Sequence, residues 1–355
     1  MFKRMMALLL CLVMVCSLLP VGAFAEEDVP EIVVPEEEVE TFDAPAPAPE
    51  EHSAVTGIEI PFRVNPLYAG QISVAEPAQE GESAALFAAP VYGTVAEAKA
   101  TLREGMKARL PQVLVYIKTT YQDFSAMWNE IFYGAMEHNG DSAAGDYLKY
   151  QYAGYGGAID GEYDSTGNYY MIFTYDLAYC DTQEQQDTMD SAVTTLLGQL
   201  NLYGKSDYEK ICGIYDWMCA NITYDYDNLE DDSYLLMYTA YAALVNRTAV
   251  CQGYANLFYR LALELGVDSR VITGTGISNT GSGPHAWNIA KLSGSYYDVD
   301  ATWDATWKQA GLEYDWFLKN EADFSQDHIR ADEFATAAFQ AAYPMGTKDY
   351  SPYIA

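Results

Sequence analysis

Pro284 to Asp304 reads "PHAWNIAKLSGSYYDVDATWD", two runs of alternating apolar residues that meet at Ser293-Gly294, the composition of a two-residue β-hairpin turn. A turn at that point makes Leu292 face Ser295 and carries Trp287 opposite Asp300. His285 and Asp300 then project from one face as diagonal neighbours, about 7 Å apart at Cβ. A two-residue shift in register would set them directly opposite, whereas a one-residue slip would send them to different faces. Asp298 shares the face but lies one step further from His285, so Asp300 is the better carboxylate partner for the imidazole.

A third residue joins this pair from upstream. In "RTAVCQGYANLFYRLALELG", Arg247 to Gly266, Tyr254, Phe258, Leu261 and Leu265 recur at helical spacing and Gly266 supplies a stop. The stretch predicts an amphipathic helix with Cys251 in or just before its first turn. Unpaired N–H groups and the helix dipole favour a thiolate there, and the same N–H groups suit the oxyanion that forms when a carbonyl is attacked. Taken singly, each residue has a plainer account: a buried inert thiol, a satisfied strand histidine, a turn or cap aspartate. Taken together, one site is the more economical account of all three. Few other bases compete, since the chain holds only His52, His138, His285 and His328.

At these residues the sequence resembles the transglutaminase-like superfamily. "VCQGYANLF", "GPHAWNIAKL" and "YYDVDATWD" are similar to its three consecutive core motifs, with 34 residues from Cys251 to His285 and 15 more to Asp300. The resemblance covers about residues 205 to 320, and "YDWFLKNEADFSQDH", which contains His328, looks like the downstream tail of secreted bacterial members. It implies a papain-like arrangement with the cysteine on a helix and the histidine and aspartate on adjacent strands. It also implies the roles: Cys251 as nucleophile, His285 as base and acid, Asp300 as the group that orients the imidazole. The tryptophan that assists the oxyanion in animal transglutaminases has no placeable equivalent, so the second oxyanion donor stays unassigned. We expect no cofactor and no metal.

The rest of the chain frames that core. Lys3 and Arg4 precede an apolar run, Met5 to Leu19, and Ala23-Phe24-Ala25 precedes Glu26, the pattern of a signal peptide over residues 1–25. The run is shorter than the roughly 20 apolar residues of a spanning helix, and no later segment is apolar enough to span a bilayer. A secreted mature protein without a membrane anchor is the expectation. Residues 26–85, rich in Pro, Ala and Glu, read as an acidic disordered linker with "GIEIPFRVN" as one short strand within it. Residues 86–204 mix helical and strand-like runs, a smaller α+β section closed by the helix "TQEQQDTMDSAVTTLLGQL". Residues 205–345 form the core with a C-terminal extension, opening on a helix that Ser206 and Glu209 cap reciprocally. The fold class is α+β: a papain-like, transglutaminase-like core with the cysteine helix packed against an antiparallel sheet.

Composition removes several functions. The net charge is −32, and residues 26–51 hold eleven Asp or Glu without a single Lys or Arg, so nucleic acid and anionic lipid are repelled; general solubility of an exported protein is the first account of the acidic excess, and cationic, lysine-bearing partners are the alternative. Cys180, Cys212, Cys219 and Cys251 are too few for a disulfide scaffold. Cys212 and Cys219 stand about 10 Å apart along one helix, too far to bridge, and both read as core. "YGKS" lacks the first glycine of a phosphate loop, and "GTGISNTGSG", residues 274–283, reads as a mobile loop between strands. No Gly-x-Ser-x-Gly elbow and no zinc spacing appear. "YDYDNLEDD" lacks the glycine and terminal glutamate of a calcium loop and reads as a solvated loop.

The function expected is that of a thiol enzyme acting on amide bonds of protein or peptide substrates, at the cell envelope or beyond, through a thioester acyl-enzyme. Crosslinking, deamidation and peptide hydrolysis share the first half of that chemistry. The alternative is a catalytically silent envelope module that binds peptide or glycan on the same fold.

Overall fold

The computed structural model describes residues 53–68, 70, 72–74, 91–279 and 281–351. The expected signal peptide, and residues 26–52 and 75–85 of the expected linker, lie outside them. The fold is α+β.

The front section is an antiparallel sheet of β1 (Ser53–Val64), β2 (Gln112–Thr119), β3 (Tyr152–Tyr163) and β4 (Tyr169–Tyr179), in the order β1-β3-β4-β2. Alternate residues of β2, namely Val113, Val115 and Ile117, point into a core closed by α1 (Val95–Lys107) and α2 (Phe124–Ala135). That is the period of two expected for a sheet with one covered face. Trp128 of α2 stacks on Phe132 and Tyr175 at its centre.

β1 corrects the linker boundary. Where one short strand within disordered sequence was expected, a twelve-residue strand pairs with β3 from Ser53↔Tyr163 to Val64↔Gly154, with register shifts after Val55 and Ile60. Its edge position accommodates Pro61, which has no N–H to give to a second neighbour. The low apolar content that suggested disorder is that of an edge strand, whose side chains Val55, Ile58 and Ile60 only border the core.

The second section is built on α6 (Cys251–Glu264). Beside it lie α4 (Gln183–Leu200) and α5 (Asp207–Asn221), and against it packs a second antiparallel sheet of β7 (Ser269–Ser278), β8 (Gly281–Leu292), β9 (Ser295–Val299) and β10 (His328–Arg330), ordered β10-β7-β8-β9. Ser206 and Glu209 make both bonds of the capping box at α5. Cys219 is buried in the core, whereas Cys212 is only partly covered, so the reading of both as core holds for one of them; neither is bridged. α4 does more than close the front section, because its Met189, Val193, Leu196 and Leu197 belong to the same core as α5 and α6.

α6 is not amphipathic in its setting. Every residue from Gln252 to Leu263 is buried, because the sheet covers one side while Tyr147, Tyr150 and α4 cover the other. Its polar positions are paired only in part: Asn256 donates to the Tyr238 carbonyl and Arg260 meets Asp190 at 2.9 Å, while Gln252 Nε2 and the Tyr254 hydroxyl are buried without a hydrogen-bond partner. A further clamp joins the sections where α3 (Asp146–Lys149) meets β7. The Asp146 carboxylate accepts from Arg270 at 2.6 and 2.8 Å and from the Val271 N–H at 2.9 Å.

Candidate active site

Three elements bring the candidate residues together. Two short parallel strands, β5 (Thr223–Tyr224) and β6 (Thr248–Ala249), lead the chain into α6, with Tyr224 beside Ala249. Val250 caps α6 in an extended conformation without a side-chain bond, which leaves Cys251 at the first helical position. The N–H groups of Gly253 and Tyr254 turn back to the Val250 carbonyl. Those of Cys251 and Gln252 come too early in the helix to find an intrahelical acceptor, so they form the donor pair expected at such an N-terminus. Gly253 makes the approach possible: a Cβ there would lie 2.7 Å from Ala249 Cβ and 2.8 Å from the Thr239 carbonyl oxygen.

The β8–β9 hairpin has the register deduced from its turn, with Leu292↔Ser295, Ala290↔Tyr297 and Asn288↔Val299. Ladder pairing stops there, and Asp300 becomes the N-cap of α7 (Ala301–Gln309). Its Oδ1 accepts from the N–H groups of Thr302 at 2.8 Å and Trp303 at 3.2 Å. Its Oδ2 lies 2.7 Å from His285 Nε2. One carboxylate oxygen thus serves as the cap of α7, and the other lies against the imidazole. Asp298 is occupied elsewhere, accepting from Trp287 Nε1 at 3.0 Å and from Arg330 at 2.9 and 3.0 Å.

With Nε2 committed to Asp300, Nδ1 is the nitrogen left for the thiol. The Cys251 side chain acts on the His285 ring through a hydrogen bond and its charge. Burial opposes a charged His285, but the Asp300 carboxylate and then Cys251 outweigh it and push the imidazole up to about 10. Burial likewise opposes ionisation of Asp300, and the charges and hydrogen bonds of His285 and His328 reverse this, holding the carboxyl well below its usual range. The arrangement favours an imidazolium beside a carboxylate, with the partly exposed Cys251 sulfur next in line.

His328 is the residue that sequence reasoning placed in a tail and did not connect to the site. β10 pairs with β7 through His328↔Gly276, which sets His328 Nε2 3.1 Å from the same Asp300 Oδ2. The glycines of "GTGISNTGSG" are the signal for it. That stretch is not a mobile loop but the outer part of the β7–β8 hairpin; Thr280 alone lies outside the described residues. At Gly274 a Cβ would run into the Ile329 carbonyl, and at Gly276 it would lie 3.0 Å from the Trp303 ring and 3.2 Å from His285. These glycines admit β10 and the aromatic rings of the site.

His285, Asp300 and His328 are also the group of metal-type ligands that converges among the described residues. Both imidazole Nε2 atoms point at one carboxylate oxygen, which is the geometry of a hydrogen-bonded relay. In "YDYDNLEDD" two of the five acids are engaged locally, Asp225 with Asn228 and Asp231 with Ser233. Tyr224 and Tyr238 border Cys251, whose charge adds to the effect of burial in raising both phenols. His138, the remaining described histidine, bridges Tyr259 and Asp268 instead.

Residues 195–301, which span Cys251, His285 and Asp300, match the family model of the transglutaminase-like superfamily. The chain carries a transglutaminase-like domain. Kyphoscoliosis peptidase of Mus musculus is 30% identical to it over 164 residues, covering 42% of this chain and 25% of that protein. Kyphoscoliosis peptidase of Homo sapiens is 29% identical over the same length. The chain thus spans about a quarter of the length of the curated relatives it matches. The crystal structure of a TGase overlaps 54% of this chain and 51% of its own at 14% identity, with a TM-score of 0.28. His328 lies beyond the matched transglutaminase-like segment. No described helix is long and apolar enough to cross a membrane.

Proposed function

We propose that the protein is a secreted thiol enzyme that opens amide bonds of protein or peptide substrates, with Cys251 as nucleophile, His285 as acid and base, and Asp300 as the orienting carboxylate. The observation that carries this reading is the continuous line from the Cys251 sulfur through His285 to Asp300 Oδ2, set at the start of a helix whose first N–H groups lack helical acceptors.

In the first half-reaction the Cys251 thiolate attacks the amide carbon, and the carbonyl electron pair moves onto oxygen, facing the N–H groups at the start of α6. The C–N bond then breaks as the proton on His285 Nδ1 passes to the departing nitrogen, leaving a thioester. In the second half, neutral His285 takes a proton from the nucleophile that attacks the thioester, and the thiolate leaves. Water as that nucleophile gives hydrolysis or deamidation; a lysine amine gives a crosslink. The mouse and human relatives are named peptidases, which favours water.

Mass spectrometry of candidate peptides incubated with the protein, with and without a primary amine, separates these outcomes. Backbone cleavage, conversion of glutamine to glutamate, and amine incorporation each change mass differently. The reading predicts one of them, dependent on Cys251. Product formation that persists in a Cys251→Ala variant would overturn it.

A further inference from the structure

His328 has a carboxylate on each side of its ring. Nδ1 lies 2.6 Å from Asp327 Oδ1 and Nε2 lies 3.1 Å from Asp300 Oδ2. An ionised carboxylate can only accept, so each of these contacts is a hydrogen bond only if the nitrogen carries a proton. An imidazole with both protons is a cation. Solvent is no substitute, because the side chain has no exposure. Trp303, Phe324 and Trp287 enclose the ring at centroid distances of 4.4, 4.0 and 5.1 Å. Asp327 is itself held by Trp316 Nε1 at 3.0 Å.

The charged groups facing this ring are therefore Asp327 from its own segment, Asp300 from the start of α7, and His285 from β8. α8 (Glu321–Phe324) presents Phe324 and β7 presents Gly276. His285 and His328 are 5.3 Å apart between ring centroids and share one acceptor oxygen.

We propose that His328 is a doubly protonated positioning residue, clamped between Asp327 and Asp300, that fixes the Asp300 carboxylate and loosens the grip of that carboxylate on the proton of His285. Asp300 alone beside a buried imidazole holds the proton tightly, and a general acid that cannot release its proton is a poor one. A second cation on the same oxygen draws off part of that attraction while keeping Oδ2 aimed at His285. The relay then runs Asp327, His328, Asp300, His285, Cys251. Its kinetic consequence rests on the thiol-enzyme reading; the proton count at His328 does not.

The test is long-range proton–nitrogen NMR of the full chain labelled with 15N-histidine. Near neutral pH His328 should show two protonated ring nitrogens, and a single protonated nitrogen would overturn the proposal. His328→Gln retains an N–H donor for Asp300 but removes the charge, so the titration of His285 in the same spectra should move up by on the order of one pH unit. Asp327→Asn should move it in the same direction. The alkaline limb of kcat/KM should follow. A lower kcat with both the titration and the limb unmoved would reduce His328 to a structural filler. Without any measurable turnover the NMR titration still decides the proposal, because it reads His285 directly.

Discussion

Nε2 of His285 lies 2.7 Å from Oδ2 of Asp300, and the other oxygen of that carboxylate caps the helix that follows. The contact thus joins the end of a hairpin to the start of α7, so the imidazole is oriented by a residue that the backbone itself holds in place. Each chemical consequence of the site depends on that double use.

Cys251→Ala removes a partly exposed sulfur and no structural bond. It should abolish amide-bond turnover while leaving the thermal midpoint within a few degrees of the parent, measured by calorimetry beside the peptide assay. A large loss of stability would mean that the thiol is a packing residue.

Asp300→Asn and Asp300→Ala separate the two jobs of the carboxylate. Asparagine caps helices about as well as aspartate, so Asp300→Asn should lose little stability through the cap but about 10²- to 10⁴-fold in kcat, because an amide does not select and stabilise the required imidazole form. Asp300→Ala should lose a further 1 kcal/mol or so as the α7 cap disappears. Equal stability in the two variants would refute the capping role.

The pH dependence of stability has a definite sign. The folded state binds the His285 proton more tightly than the unfolded chain, with the value moved from 6.5 to about 10. That contribution is complete below the unfolded value and is lost as pH rises through the folded one. Asp300 works in the opposite sense: its contribution is present above the ordinary value of 3.8 and is lost as pH falls through its lower folded value. Urea midpoints should therefore decline from about pH 6.5 towards 10, and His285→Gln should flatten that decline. An unchanged alkaline slope in the variant would contradict the assignment.

Gly274→Ala places a methyl group against the Ile329 carbonyl. Backbone must shift, and overpacking of this kind costs about 1–3 kcal/mol. Because β10 carries His328, the loss should come with weakened amide protection in hydrogen exchange at Ile329 and Ala331, whose N–H groups face β7. Protection equal to the parent would show that the strand accommodates the methyl without moving.

Much of the site was legible because it is local. A two-residue turn and a period of two place His285 and Asp300 on one side of a hairpin whatever surrounds them, and the apolar spacing after Cys251 places the thiol at a helix start. The less legible parts depend on distant sequence. β1 reads as part of a linker because the strand it pairs with, β3, lies about a hundred residues away. α6 reads as amphipathic because the covering Tyr147, Tyr150 and α4 arrive from another section.

His328 marks the boundary between the two kinds of information most sharply. The sequence alone determined that a cysteine, a histidine and an aspartate could meet, since turn geometry and helical periodicity act within a few residues. Only the tertiary structure decided that a second imidazole shares the aspartate's oxygen. That contact needs β10 to add to the far edge of β7, and strand addition between segments some fifty residues apart leaves no periodic trace in either one.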